Sequence, residues 1–256
     1  MSASALYRQS YQLDGAAAPC DHTQKIEAAA VALIRLLGWT LAAAIGLLAL
    51  ESGLEDLYLI EGGKIALHPE LACTVMWDLW AASWLAAMAW SRRTATSPLA
   101  RLEVAYLILP TIGLCLLGFG SIATHFRPLW TVPDTLGWFF AALCGLSLAF
   151  TWWARIGLGP LWSLSVSRKD AHNIVQDGAY HLVRHPIYTG LITAAASHAV
   201  VIGQLANLAG AVLMAIGFWL KARFEERFLA RELGSAAYAE YARRTPMLVP
   251  FWPIRG

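Results

Sequence analysis

Two short stretches of this chain hold most of the side chains able to do chemistry. The first, from Tyr180 to Gly190, contains Arg184-His185-Pro186 followed by Tyr188. Proline suits the first turn of a helix, where its missing N–H needs no partner, so a helix is predicted to begin at Pro186. Arg184 and His185 then lie at its N-terminus, with Tyr188 and Gly190 in its first turns. Free N–H groups and the positive end of the helix dipole favour an anionic ligand group there, such as a carboxylate. Anchoring at headgroup level, with Arg, His and Tyr reaching outward, accounts for the same residues. The second stretch is Lys221-Ala222-Arg223-Phe224-Glu225-Glu226-Arg227. Its paired carboxylates could bind a cationic or hydroxyl-bearing ligand, and Lys221 or Arg223 an anionic one. Basic residues at the cytoplasmic end of a span follow the positive-inside rule. Adjacent glutamates at a helix C-terminus oppose the dipole and want another reason.

The elements that must position these residues are membrane helices. Of 256 residues, 58% are hydrophobic and only 14% charged, against about 25% charged in soluble domains. The net charge of +2 is too small to point to nucleic acid. Stretches near the roughly 20 apolar residues a span requires fall at 26–50, 71–90, 102–123 and 135–153. A further pair, 186–201 and 206–224, is separated by Ile202-Gly203-Gln204-Leu205, and its first member is short. The predicted fold is all-α, a polytopic transmembrane bundle of about six helices with a C-terminal helical hairpin. Residues 1–154 read as a four-helix bundle with sparse polar groups, and 155–256 as a region interleaving polar loops with helices.

Charge orients the bundle. Glu51, Glu55, Asp56, Glu61 and Glu70 crowd the first loop, whereas Arg92, Arg93 and Arg101 mark the next. Arg155, Arg168, Lys169 and Arg184 follow the fourth span, and Lys221, Arg223, Arg227, Arg231, Arg243 and Arg244 the sixth. This alternation places both termini and both reactive stretches on the cytoplasmic side. The hairpin brings the two stretches to one membrane depth, as two walls of a pocket. Trp77, Trp80, Trp90, Trp138, Trp152 and Trp153 fall near span ends, as an interfacial aromatic belt requires.

Other patterns carry less. Cys20, Cys73, Cys115 and Cys144 form no C-x-x-C pair, and three lie in apolar runs where a thiol is a small hydrophobe. His181 and His185 have i, i+4 spacing, but the glutamate of H-E-x-x-H is absent and Pro186 interrupts the helix, so no metal is expected. Gly118-Phe119-Gly120-Ser121-Ile122-Ala123 mimics a dinucleotide fingerprint inside an apolar span. Arg35 and Asp78, inside the first two spans, could form a structural ion pair.

Taken together, the last hundred or so residues resemble the isoprenylcysteine carboxyl methyltransferase and phospholipid methyltransferase family. The resemblance rests on Gly178-Ala179-Tyr180, Arg184-His185-Pro186, Tyr188 and Gly190, then Glu225-Glu226, Leu229, Leu233-Gly234, Tyr238, Tyr241 and the tail from Pro246 to Pro250-Phe251. Ala179 stands where proline is frequent, and Gly234 to Tyr238 is one residue longer than the common spacing. The resemblance implies methyl transfer from S-adenosylmethionine to a lipophilic or lipid-linked acceptor entering from the membrane lipid. It implies that Tyr180, His185, Pro186, Tyr188, Gly190, Glu225 and Glu226 hold the cofactor beneath a C-terminal cover. Lys221 or Arg223 would orient an acceptor carboxylate. For an amine or thiol acceptor, Glu226 or His185 becomes the general base. The first 150 residues lie outside the match and are where substrate preference is expected. Two other classes remain: an NADPH-dependent sterol-type reductase, whose C-terminal half has a related architecture, and a transporter or scaffold using the polar stretch as a headgroup anchor. The glutamate pair speaks against the former, and the lack of a repeated pair of broken helices against the latter.

Overall fold

The computed structural model describes residues 68–88, 101–122, 128–159, 175–232 and 235–252. The span predicted at 26–50, the acidic loop before His68, Arg35 and its suggested partnership, Cys20, Arg168, Lys169, Leu233 and Gly234 lie outside them.

Every regular element among the described residues is helical: α1 (Pro69–Met88), α2 (Arg101–Ile122), α3 (Asp134–Leu158), α4 (Ala179–Leu182), α5 (Pro186–Ile202), α6 (Leu205–Glu232) and α7 (Ser235–Arg244). α5 begins at the proline and ends on Gly203, whose φ of 71° is the left-handed cap conformation that glycine adopts without penalty. α3 and α6 run past the apolar stretches predicted for them. Hydropathy marks the part suited to lipid, whereas backbone hydrogen bonding continues beyond it. Among the described residues two helices, Asp134–Leu158 and Leu205–Ala230, are long and apolar enough to cross a membrane. Their outer faces carry Phe139, Leu146, Ile156, Val212, Ile216 and Trp219 exposed. So much outward apolar surface on spanning-length helices is that of a helical membrane protein.

Between helices in lipid there is little hydrophobic drive, so close packing and polar contacts hold them together. α2 lies along α6, α3 along α5, and α5 against α6, to which only Gly203 and Gln204 join it. Gly113 of α2 and Gly210 of α6 meet so closely that a Cβ on either would come within 2.6 Å of the other's carbonyl oxygen. Asn207, fully buried, adds a hydrogen bond from Nδ2 to the Leu117 carbonyl at 2.9 Å. Between α1 and α3 two indoles cross-link the helices: Trp80 Nε1 donates to Thr151 Oγ1 at 2.8 Å, and Trp152 Nε1 to Ser83 Oγ at 3.1 Å.

These contacts correct the expected aromatic belt. Trp138 and Trp153 are exposed as a belt requires, but Trp77 and Trp80 are buried in the helix core. Trp80 is admitted there because Thr151 satisfies its N–H, and it stacks on Trp84 at 4.8 Å between ring centroids.

Gly190 fixes how near α5 comes to α3. A Cβ there would lie 2.5 Å from Thr151 Cγ2 and 2.7 Å from the Ser147 carbonyl oxygen. Because the second neighbour is backbone, relief requires moving a helix. Gly190→Ala is therefore expected to destabilise the protein by about 1–3 kcal/mol, read as a lower melting temperature in detergent.

Candidate functional site

The start of α5 and the end of α6 converge, and both reactive stretches meet there. Glu226 Oε1 accepts from Arg184 Nε at 2.8 Å and lies 2.6 Å from Nη2. Tyr188 Oη donates to Glu225 Oε1 at 2.7 Å. His185 stands between the carboxylates, with Nδ1 3.5 Å from Glu225 Oε2 and Nε2 3.4 Å from Glu226 Oε1. Its Nε2 makes no hydrogen bond of good geometry, so these are charge contacts rather than tight bonds. Lys221, one turn before Glu225 on the same face, places Nζ 3.8 Å from Glu225 Oε1 and 5.2 Å from the centre of the Tyr188 ring. The rings of His185, Tyr188 and Phe218 stack in sequence at 5.4 and 5.1 Å.

A C-terminal strap covers the beginning of α5. The backbone N–H groups of Arg184 and His185 donate to the Pro246 and Met247 carbonyls at 2.8 and 3.1 Å. Thr189 Oγ1 donates to the Leu248 carbonyl at 2.6 Å. Arg184 Nη1 reaches the Ala242 and Thr245 carbonyls, and Tyr241 Oη donates to the Tyr180 carbonyl at 2.7 Å. Tyr180, Tyr238 and Tyr241 are buried around this junction. Burial raises the Tyr241 phenol to about 12, with Arg184 opposing and Glu226 adding to the rise. All three phenols are therefore neutral hydrogen-bonding groups near neutral pH.

Burial alone would disfavour a charged His185. The close approach and negative charge of Glu225 and Glu226 outweigh it and raise the imidazole above the ordinary histidine value. A raised folded pKa means the native state holds the proton longer than the unfolded chain. Its stabilisation is fully present below the unfolded value of about 6.5 and is lost as pH rises through the higher folded value. The melting temperature in detergent is expected to fall across that window, and His185→Gln to flatten this part of the profile.

The predicted residues thus divide. Tyr180, His185, Pro186, Tyr188, Lys221, Glu225 and Glu226 gather at the junction of α5, α6 and the strap. Gly190 instead faces α3, where its role is packing. Arg223 is exposed, two residues and so about 200° around the helix from both Lys221 and Glu225. The cation that meets Glu226 is Arg184, which the sequence reading placed at the helix start but left outside the predicted site. Helical periodicity could have separated Lys221 from Arg223, but nothing local marks Arg184 as the partner of Glu226. Among the described residues no group of His, Cys, Asp and Glu side chains is arranged to hold a metal ion.

A helical membrane protein with a buried carboxylate, histidine and tyrosine cluster at one end of its helices is the class this geometry defines. Residues 133–231 match the model of the isoprenylcysteine carboxyl methyltransferase family, which bears out the resemblance drawn from the motifs. The match takes in α3, α4, α5 and nearly all of α6, and so begins at residue 133, earlier than the motifs suggested, which left the first 150 residues outside the resemblance. Similar proteins include protein-S-isoprenylcysteine O-methyltransferase B of Arabidopsis thaliana, 33% identical over 34% of this chain and 45% of its own length. A probable protein-S-isoprenylcysteine O-methyltransferase of Oryza sativa is 30% identical over 34% of this chain and 46% of its own. The cobalt-zinc-cadmium resistance protein CzcN of Cupriavidus metallidurans is 35% identical over 56% of this chain and 61% of its own. The chain thus spans about half the length of the curated relatives it matches.

Proposed function

We propose that this protein is an integral membrane methyltransferase that uses S-adenosylmethionine and acts on a lipophilic or lipid-linked acceptor at the cytoplasmic face. The observation that carries this reading is the joining of Arg184, His185 and Tyr188 to Glu225 and Glu226 inside the region matched by a methyltransferase family. In the same reading the bundle is multi-pass with both termini cytoplasmic, and the first 154 residues form the substrate side.

The donor set suits the cofactor. Carboxylate oxygens of Glu225 and Glu226 offer acceptors to an ammonium or to ribose hydroxyls. The buried Tyr238 hydroxyl has no hydrogen-bond partner of good geometry among the described residues and offers a further polar contact. When bound, the cofactor supplies a methyl group already activated on a sulfonium, so the protein need contribute no nucleophile. Its task is alignment, the larger part of the catalysis for an in-line displacement. Lys221 is placed to orient an acceptor carboxylate of the kind a prenylated cysteine carries, which requires no base. For an amine or thiol acceptor, Glu226 or His185 takes the departing proton.

A labelled methyl donor supplied with fractionated membrane lipids and prenylated thiols tests the reaction and the acceptor class together. Label in a lipophilic product is the expected result. Saturable binding of S-adenosylmethionine but not NADPH, followed by calorimetry, is expected alongside it. Absence of both would overturn the reading.

A further inference from the structure

The strap does not end where it crosses α5. It runs into a tight turn from Val249 to Trp252, closed by the Trp252 N–H on the Val249 carbonyl at 3.2 Å. Pro250 occupies the second position, as a turn favours. The third is Phe251, whose φ is 61°, and it is the one described residue other than glycine with positive φ. That conformation is ordinarily left to glycine because a Cβ is crowded there. Among the described residues the phenyl ring is left without a packing surface in return. Phe251 is 90% exposed and Trp252 65%, beside a half-exposed Val249.

Depth indicates what the aromatic pair meets. α5 has 17 residues, so it is about 25 Å long, shorter than a hydrocarbon core of about 30 Å. Its first turn meets Glu225 and Glu226, where the apolar run of α6 gives way to charged residues, so it lies near the membrane boundary. Leu248 is hydrogen-bonded to Thr189 in that turn, which puts Val249 to Trp252 at the same level. Aromatic side chains are favoured at that level, their apolar rings below the headgroups and the indole N–H among them. Nearby α7 exposes Arg243 and Arg244, both paired to Glu240, and α6 exposes Arg223 and Arg227. This excess of cations complements anionic headgroups.

We infer that the turn Val249–Trp252 is an interfacial membrane anchor, and that by entering the bilayer it holds the C-terminal strap closed over the start of α5. The first half stands on the membrane fold alone, and only the consequence for the cofactor site rests on the proposed methyltransferase reading.

The full chain, reconstituted in phosphatidylcholine vesicles containing phosphatidylglycerol, provides the test. Lipids brominated near the headgroup are expected to quench an emission component that Trp252→Phe removes and that aqueous iodide leaves untouched. If the component lost in Trp252→Phe is quenched by iodide and not by the brominated lipid, the anchor is overturned. Phe251→Gly suits the backbone while deleting the ring, so it separates anchoring from folding. In these vesicles it should keep the wild-type melting temperature yet speed amide exchange at Arg184 and His185, whose N–H groups the strap carbonyls hold, by about tenfold. In detergent, where no bilayer is present, wild type and variant should exchange alike. Unchanged exchange in vesicles would overturn the coupling of anchor to strap. Neither readout depends on methyl transfer, so a failed enzyme assay and a failed anchor remain distinguishable.

Discussion

Replacing Arg184 with alanine is expected to loosen the C-terminal strap and to lower stability by about 3 kcal/mol, the lower end of what breaking a buried ion pair costs. The guanidinium does three things at once. Nε and Nη2 neutralise Glu226, and Nη1 satisfies the carbonyls of Ala242 and Thr245. Arg184 and Glu226 keep only 11% and 13% of their side-chain surface exposed, so water recovers little of what alanine removes. The truncation leaves a carboxylate beside Glu225 with less countercharge, and two carbonyls without their donor. The backbone bond from Arg184 N–H to Pro246 survives, as does the Thr189 bond to Leu248, which keeps the loss toward the lower end. Thermal unfolding in detergent and limited proteolysis between α7 and the tail would record it. Arg184→Lys should recover part of the stability, because an ammonium restores charge but not the planar fork that serves Glu226 and the strap together. An alanine variant that melts and resists protease like wild type would remove Arg184 from this role.

The second large effect concerns Glu226 itself. Glu226→Gln keeps the side chain's shape and one oxygen for Arg184, so the fold should survive with a modest loss of stability. Under the proposed function, methyl transfer is expected to fall by about 10²-fold or more, the range for removal of a positioned acid–base group. The split between parameters identifies the role. A fall in turnover with cofactor binding intact marks Glu226 as the base for an amine or thiol acceptor. A parallel loss of binding measured by calorimetry marks it as a holder of the cofactor. Undiminished transfer together with undiminished binding would remove the residue from both.

Much of this was legible in the residues before any coordinates. Pro186 fixed the start of α5 through its own ring, and Gly203 its end, because both act on the backbone within one or two residues. Apolar runs located the helices, and the glutamate pair flagged itself by following closely on an apolar run, although α6 continues to Glu232 and the pair does not stand at its C-terminus. The spacing of Lys221 and Glu225 placed them on one face by helical geometry alone. Such signals are local, so a linear chain can carry them.

Tertiary structure decided the partners. Arg184 finds Glu226 at a separation of 42 residues, and Ala242 and Thr245 at 58 and 61. An arginine beside a helix start looks the same whether it meets a headgroup or a buried carboxylate. Trp80 likewise joined the core because Thr151, 71 residues away, met its N–H, while Trp153 on the outer side of α3 stayed exposed. Gly190 turned toward α3 and Arg223 away from the cluster for the same kind of reason. Residue type sets what a side chain can satisfy and helix period sets which way it faces. The packing of distant helices alone sets which group is there to receive it.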